Sequence, residues 1–323
     1  MLVSIFPLSG CSDTKTPVDM KKPAAQMETH ITYKTVLENI GAGAKTLRLW
    51  IPVPESDDFQ QISNLTIEPN GGEAKRDAIY GNNLLYFEWK NPADKADAQK
   101  NIIVTVQYDL VRKEAGADHR GKEVSRDAMK RFLEGDHRAP ITDRVKEYAA
   151  KATEGKADAT SKARAIYDFV LDSLHYSKEG EGWGNGDIQF VCDSKRGNCS
   201  DFHTLFIAMA RAAGIHARFH YGFSLKPGGS TSAHCWAAFF DDTKNWIPVD
   251  ISEADKVIDK DPSKRDYFFG TLTENRVLLT TGRDLILEPK QSCDPLNFMY
   301  APHAEVDGQP FPTKLDMSHQ VKK

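Results

Sequence analysis

Three residues of this chain, in a particular order, have the types that amide chemistry needs. Cys199 stands in the stretch Lys195-Arg196-Gly197-Asn198-Cys199-Ser200-Asp201. Directly after it Phe202, Leu205, Phe206, Met209, Ala210 and Ala213 recur at spacings of three and four, the pattern of a helix. A cysteine in the first turn of that helix meets unpaired backbone N–H groups and the positive end of the helix dipole, which favour its thiolate. Gly197 in front of it leaves room for a substrate to come close. His234 opens the strand-like run His234-Cys235-Trp236-Ala237, and Asp250 closes Trp246-Ile247-Pro248-Val249-Asp250. A cysteine nucleophile needs a base, and the base needs a third group that fixes its tautomer and orientation. Each residue alone has a plainer reading. A free cysteine is usually a small buried hydrophobe, a single histidine is usually satisfied by its surroundings, and an aspartate after a strand usually caps a turn. Their joint occurrence in this order is what points to catalysis.

The elements that must position them follow from the surrounding pattern. Helical spacing covers Ile141 to Ala152 and Ser161 to His175, followed by a loop with Gly180, Gly182, Gly184 and Gly186. Gly214 is placed to end the cysteine helix. Strands are expected at His216 to Phe223, His234 to Phe240 and Asn245 to Asp250, and antiparallel neighbours would bring His234 and Asp250 side by side against that helix. Further upstream the chain is all-β, with strands expected at His30 to Asn39, Thr46 to Ile51, Ile62 to Ile67, Leu84 to Trp89 and Ile102 to Val111. Turns at Asn70-Gly71-Gly72, Gly81-Asn82-Asn83 and Asn91-Pro92 separate them, as in a small sandwich. The expected organisation is residues 1–27 as a leader and polar tether, 28–115 as the β-sandwich, 116–140 as a charged connector, 141–312 as the catalytic domain and 313–323 as a polar tail.

The chain has 323 residues, 40% hydrophobic and 27% charged, with a net charge of −4, which gives no electrostatic case for nucleic acid. No run reaches the roughly 20 apolar residues of a membrane-spanning helix. The short apolar stretch Met1 to Phe6 is followed by Leu8-Ser9-Gly10-Cys11, which resembles a bacterial lipobox. That resemblance implies a lipidated Cys11, an exported protein with a lipid bilayer as partner, and a polar tether from Ser12 to Gln26 with a reach on the order of 20 Å. Ser12, instead of an acidic residue, resembles the outer-membrane sorting pattern.

The blocks Arg196-Gly197-Asn198-Cys199, Ala210-Arg211-Ala212-Ala213-Gly214-Ile215-His216-Ala217-Arg218, His234-Cys235-Trp236 and Trp246-Ile247-Pro248-Val249-Asp250 resemble the bacterial transglutaminase-like superfamily over about Ile141 to Pro289. Tyr267-Phe268-Phe269-Gly270 to Arg283-Asp284 is similar to its distal segment. The resemblance implies an α+β fold, a papain-like core with the cysteine helix packed on an antiparallel sheet, preceded by an immunoglobulin-like sandwich. It also implies Cys199 as nucleophile, His234 as general base and acid, Asp250 as orienting carboxylate, and a protein or peptide substrate. Cys235 departs from the family, which often has Ala or Gly there; strand alternation turns it away from the face His234 uses, towards burial. His203, one turn beyond Cys199, reads as a supporting or surface residue. Trp183 and Gln189 are candidates for a second oxyanion donor. Cys192, Cys235 and Cys293 allow one disulfide or three free thiols. No metal-binding spacing is present, no cofactor is expected, and Asp241-Asp242 and Asp255 to Asp261 read as solvated loops. Water as acceptor of the thioester gives an amidase or peptidase; a lysine amine gives a crosslinking transglutaminase. The Gly- and Ser-rich loop Lys226 to Ser232 reads as open, which favours water. A non-catalytic binding or scaffold module is the other class, separated by the reactivity of Cys199.

Overall fold

A computed structural model describes residues 24–116 and 125–322. Cys11 and most of the tether lie outside the described residues. The chain begins with six strands: β1 (Gln26–Leu37), β2 (Thr46–Pro52), β3 (Gln60–Glu68), β4 (Glu73–Arg76), β5 (Asn83–Lys90) and β6 (Ile102–Lys113). Alternation sets their faces. Ile31, Tyr33 and Leu37 of β1 and Val104, Val106 and Tyr108 of β6 point inward, against Leu47, Leu49 and Ile51 of β2 and Phe87 of β5. All five strands expected here form; β4 is additional.

The helical layer follows as α1 (Arg126–Arg131), α2 (Asp143–Ala152), α3 (Ala159–Ser173), the short β7 (His175–Tyr176), α4 (Ile188–Ser194), β8 (Arg196–Gly197) and α5 (Cys199–Ala212). Next come β9 (Ala217–Leu225), β10 (Thr231–Phe240), β11 (Trp246–Val249), α6 (Ile251–Val257), α7 (Lys264–Tyr267) and β12 (Arg276–Thr281). The sheet of this second region is antiparallel in the order β11-β10-β9-β12. Helix α5 is buried all round from Cys199 to Arg211, which is more than the one apolar stripe the sequence displays. Its polar residues are tolerated because each is bonded: Thr204 Oγ1 accepts from Arg283 Nη1 at 3.0 Å, and Arg211 Nη1 pairs with Asp136 at 2.9 Å. Gly214 takes a positive φ of 79° just past the helix, and the Ile215 N–H closes on Ala210 O at 2.9 Å, the expected stop.

The chain then returns to the sandwich. β13 (His303–Val306) pairs with β2, β14 (Gln309–Phe311) pairs with β13, and β15 (Lys314–Val321) pairs with β1. The sandwich therefore has sheets β15-β1-β6-β3 and β14-β13-β2-β5-β4. This overturns the expected polar tail at 313–323 and moves 303–311 out of the catalytic domain. Lys314, Asp316 and Ser318 face outward on an edge strand, so its composition reads as polar, while Met317 is buried in the sandwich core.

The two regions share a core. One face of β9 carries Ala217, Phe219 and Tyr221 into the helical core and Phe223 and Leu225 into the sandwich core, where Val277 and Leu279 of β12 join them. The sheet β11-β10-β9-β12 thus packs part of its face into the sandwich core.

Candidate active site

Helix α5 is held at its start by a reciprocal cap. Asn198 Oδ1 accepts from the Ser200 N–H at 2.9 Å, and Asp201 Oδ2 accepts from the Asn198 N–H at 2.8 Å. Asp201 also takes the N–H groups of Gly184 at 2.8 Å and Gly186 at 3.1 Å, which bolts the glycine-rich loop to the cysteine turn. A Cβ on Gly197 would collide with the Asp201 carboxylate, so the glycine before Asn198 is required by space.

The sheet brings the other two residues in. His234 on β10 lies opposite Gly222 of β9, and Asp250 follows β11 directly. His234 Nε2 is 2.8 Å from Asp250 Oδ2, with both side chains buried, and the imidazole also makes a side-chain hydrogen bond with Cys199. With Nε2 committed to Asp250, Nδ1 is the nitrogen left for the thiol. Trp236, two residues on and on the same strand face, stacks at 6.3 Å against the imidazole. Cys199, His234 and Asp250 are thus assembled as the sequence leads one to expect.

The electrostatics fit a charged pair. Burial works against protonating His234, but the Asp250 carboxylate and the hydrogen bonds to Asp250 and Cys199 outweigh it and lift its pKa to about 9. A hydrogen bond from the Cys235 thiol, joined by the hydrogen bond and charge of His234, overcomes burial and holds the Cys199 thiol well below its usual range. Asp250 is buried, yet His234 and Arg276 keep its carboxyl below the usual carboxylate range.

Four residues complete the site beyond the expected three. Cys235 faces α5: its Sγ is 3.9 Å from Ser200 Oγ and 3.8 Å from His203 Nδ1, and it is hydrogen-bonded to Cys199. Alternation does turn it off the His234 face, but that other face carries the cysteine helix, so it is buried and within the site. His203 is buried between Cys199 and Ile251. The Ile251 N–H donates to its Nε2 at 3.1 Å, so Nδ1 carries the proton and donates to Cys199 O at 2.7 Å. Burial lowers its pKa to about 4. Arg276 reaches from β12 to Asp250 Oδ2 at 3.4 Å and Glu253 Oε2 at 3.1 Å. Tyr221 is hydrogen-bonded to Ser200 beside the two sulfurs. No local pattern marks Arg276 or Tyr221, because only strand pairing brings them in.

Other expectations resolve simply. Trp183 Nε1 donates to Gly180 O at 2.9 Å, and Gln189 is exposed on α4. Cys192, Cys199, Cys235 and Cys293 are all free thiols. The loop expected to be open before His234 is pinned to the sandwich: Thr231 Oγ1 donates to Met317 O at 3.2 Å, and His319 Nε2 lies 2.9 Å from Lys226 O.

Residues 146–251, which hold the whole constellation, match the model of the transglutaminase-like superfamily. That segment is a transglutaminase-like domain. An uncharacterized protein of Haemophilus influenzae is 26% identical over 351 residues, covering 96% of this chain and 94% of that relative. Uncharacterized protein YebA of Bacillus subtilis is 20% identical over 249 residues, covering 75% of this chain but only 30% of YebA. The crystal structure of a proposed cysteine protease from Cytophaga hutchinsonii superposes with a TM-score of 0.58 at 15% identity, covering 93% of this chain and 99% of that one. At that identity the likeness is one of fold, and its coverage takes in the sandwich as well as the transglutaminase-like core. Among the described residues no helix is long and apolar enough to cross a membrane.

Proposed function

We propose that this protein is a cysteine acyl-transfer enzyme acting on amide bonds of a protein or peptide, with Cys199 as nucleophile, His234 as base and acid, and Asp250 as the carboxylate that orients it. The observation that carries the reading is the continuous hydrogen-bonded line from Cys199 to His234 to Asp250, at 2.8 Å in its second link. Cys199 thiolate attacks the amide carbonyl carbon, and the oxyanion forms beside the Cys199 N–H at the positive end of α5. The His234 imidazolium gives its proton to the leaving amine, and a thioester remains on Cys199. Neutral His234 then draws a proton from the acceptor as the thioester is resolved.

Water is the favoured acceptor. Gly180, Gly182 and Asn185 of the loop bolted against the cysteine turn are exposed, and a glycine loop open to solvent makes a poor apolar tunnel for an amine. The loop at 226–232, pinned to β15, does not bear on this choice. Incubation with a Gln-containing protein and a labelled primary amine tests the acceptor. Ammonia or new N-termini without amine incorporation, abolished in Cys199→Ala, is the expected result; efficient incorporation assigns a crosslinking transglutaminase. Absence of any Cys199-dependent turnover would leave a binding module.

Export and lipid anchoring at Cys11 form part of the proposal and rest on the Leu8-Ser9-Gly10-Cys11 motif. Cys11→Ser is expected to move the protein from the membrane fraction to the soluble exported fraction.

A further inference from the structure

Outside the catalytic site, three donor atoms converge where the chain returns to the sandwich. Cys293 Sγ lies 3.7 Å from His303 Nε2, and His303 Nε2 lies 3.4 Å from Glu305 Oε1. All three atoms are within 4.8 Å of one another. Cys293 is on the segment between β12 and β13, while His303 and Glu305 alternate on β13 and so share one face. Cys-x9-His-x-Glu is not a familiar ligand spacing, and the sequence therefore raises no expectation of a metal here.

The separations suit one ion. Bonds of about 2.3 Å to sulfur and about 2.0–2.1 Å to nitrogen and oxygen, at tetrahedral angles, put sulfur and nitrogen about 3.6 Å apart and nitrogen and oxygen about 3.3 Å apart. Hydrogen bonding fits less well: Nε2 has either one hydrogen or one lone pair to offer, so it serves Glu305 or the thiol but not both. The surroundings also resemble an outer shell that fixes ligands. Ser292 N and Oγ donate to the two Glu305 oxygens at 2.6 and 3.0 Å, Arg48 pairs with Oε2 and leaves Oε1 toward His303, and the Trp50 ring lies 5.6 Å from the imidazole. Glu305 is buried, whereas Cys293 and His303 keep partial access to solvent, so an ion has a way in.

We propose that Cys293, His303 and Glu305 bind a zinc ion, with water as the fourth ligand. The thiolate–imidazole–carboxylate set suits this borderline-soft ion over calcium or magnesium. Binding converts the Cys293 thiol to thiolate and releases one proton per ion, with no change of oxidation state. The ion ties the return segment to β13, and so to the sandwich, far along the chain from Cys199.

The test uses the metal-stripped full chain carrying Cys199→Ala, which removes the other reactive thiol, titrated with cobalt(II) as a spectroscopic probe. A thiolate-to-cobalt charge-transfer band saturating at one equivalent, release of one proton per ion and displacement by zinc are expected. Cys293→Ser should abolish the band. His303→Ala should weaken binding beyond the about 10–100-fold lost with an outer-shell partner. No band in the unsubstituted-at-293 protein at saturating cobalt overturns the site, an outcome that does not depend on any variant folding. A band that survives Cys293→Ser overturns it too, since the ion then sits on another thiol.

Discussion

His203 Nδ1 donates to the carbonyl of Cys199 at 2.7 Å. Because its Nε2 accepts from Ile251 N–H, one neutral ring ties the cysteine turn of α5 to the turn that carries Asp250. The ring is a positioning residue. His203→Ala would leave the buried Ile251 N–H unpaired, at about 1–3 kcal/mol, and would strip the Cys199 carbonyl of its bond beyond the helical one. It would also loosen the geometry between the proposed nucleophile and His234, where a shift of about 1 Å costs up to about a hundredfold. Thermal melts and kcat/KM should both fall. The pH profile above about pH 5 should keep its shape, since burial holds this pKa near about 4 and the ring is already neutral there.

Asp250 has two roles that substitution separates. Its side chain caps α6 through Glu253 N–H at 3.3 Å and also accepts from His234. Asn is a good N-cap, so Asp250→Asn should keep α6, whereas Asp250→Ala should cost a further ~0.5–2 kcal/mol. Both remove the charge that outweighs burial at His234, so both should lower kcat by up to about 10⁴-fold.

The raised pKa of His234 also sets a stability window. Protonation in the folded state at about 9, against 6.5 ordinarily, contributes stability that is full below 6.5 and lost as pH rises through about 9. Denaturant melts between pH 7 and 9.5 should show the parent losing more stability than Asp250→Asn, in which that gain is already gone.

β15 makes a fourth case. Truncation after Pro312 removes its ladder with β1, the buried Met317 and the bond between His319 and Thr29 at 3.2 Å. It also bares an edge strand. The melting temperature should fall by about 5–10 °C. An unchanged melting curve would mean that 313–323 contributes no more than a polar tail.

Much of this was legible in the chain itself. The cysteine helix, its glycine stop and the strands that carry His234 and Asp250 are local patterns. So are the five sandwich strands, whose alternation is strong on a half-buried sheet. The C-terminal strands escaped because they are short or at a sheet edge, and in β15 the alternation Leu315, Met317, His319 includes only two apolar side chains among polar ones. Cys235 was placed on the correct strand face, but that face meets α5, a fact of packing. Arg276 lies 26 residues from Asp250 and Tyr221 21 residues from Ser200, and only strand pairing brings each to its partner.

The central proposal, an activated Cys199, is tested most directly by its rate of alkylation by iodoacetamide from pH 4 to 10, read thiol by thiol by peptide mass spectrometry in the parent and in His234→Ala. In the parent, Cys199 should react first and stay reactive below neutral pH. Cys192, Cys235 and Cys293, whose pKa values burial pushes up, should lag. In His234→Ala the Cys199 midpoint should move up towards the ordinary thiol value of about 8.5. Four thiols reacting at similar rates, or a Cys199 midpoint indifferent to His234, would contradict it.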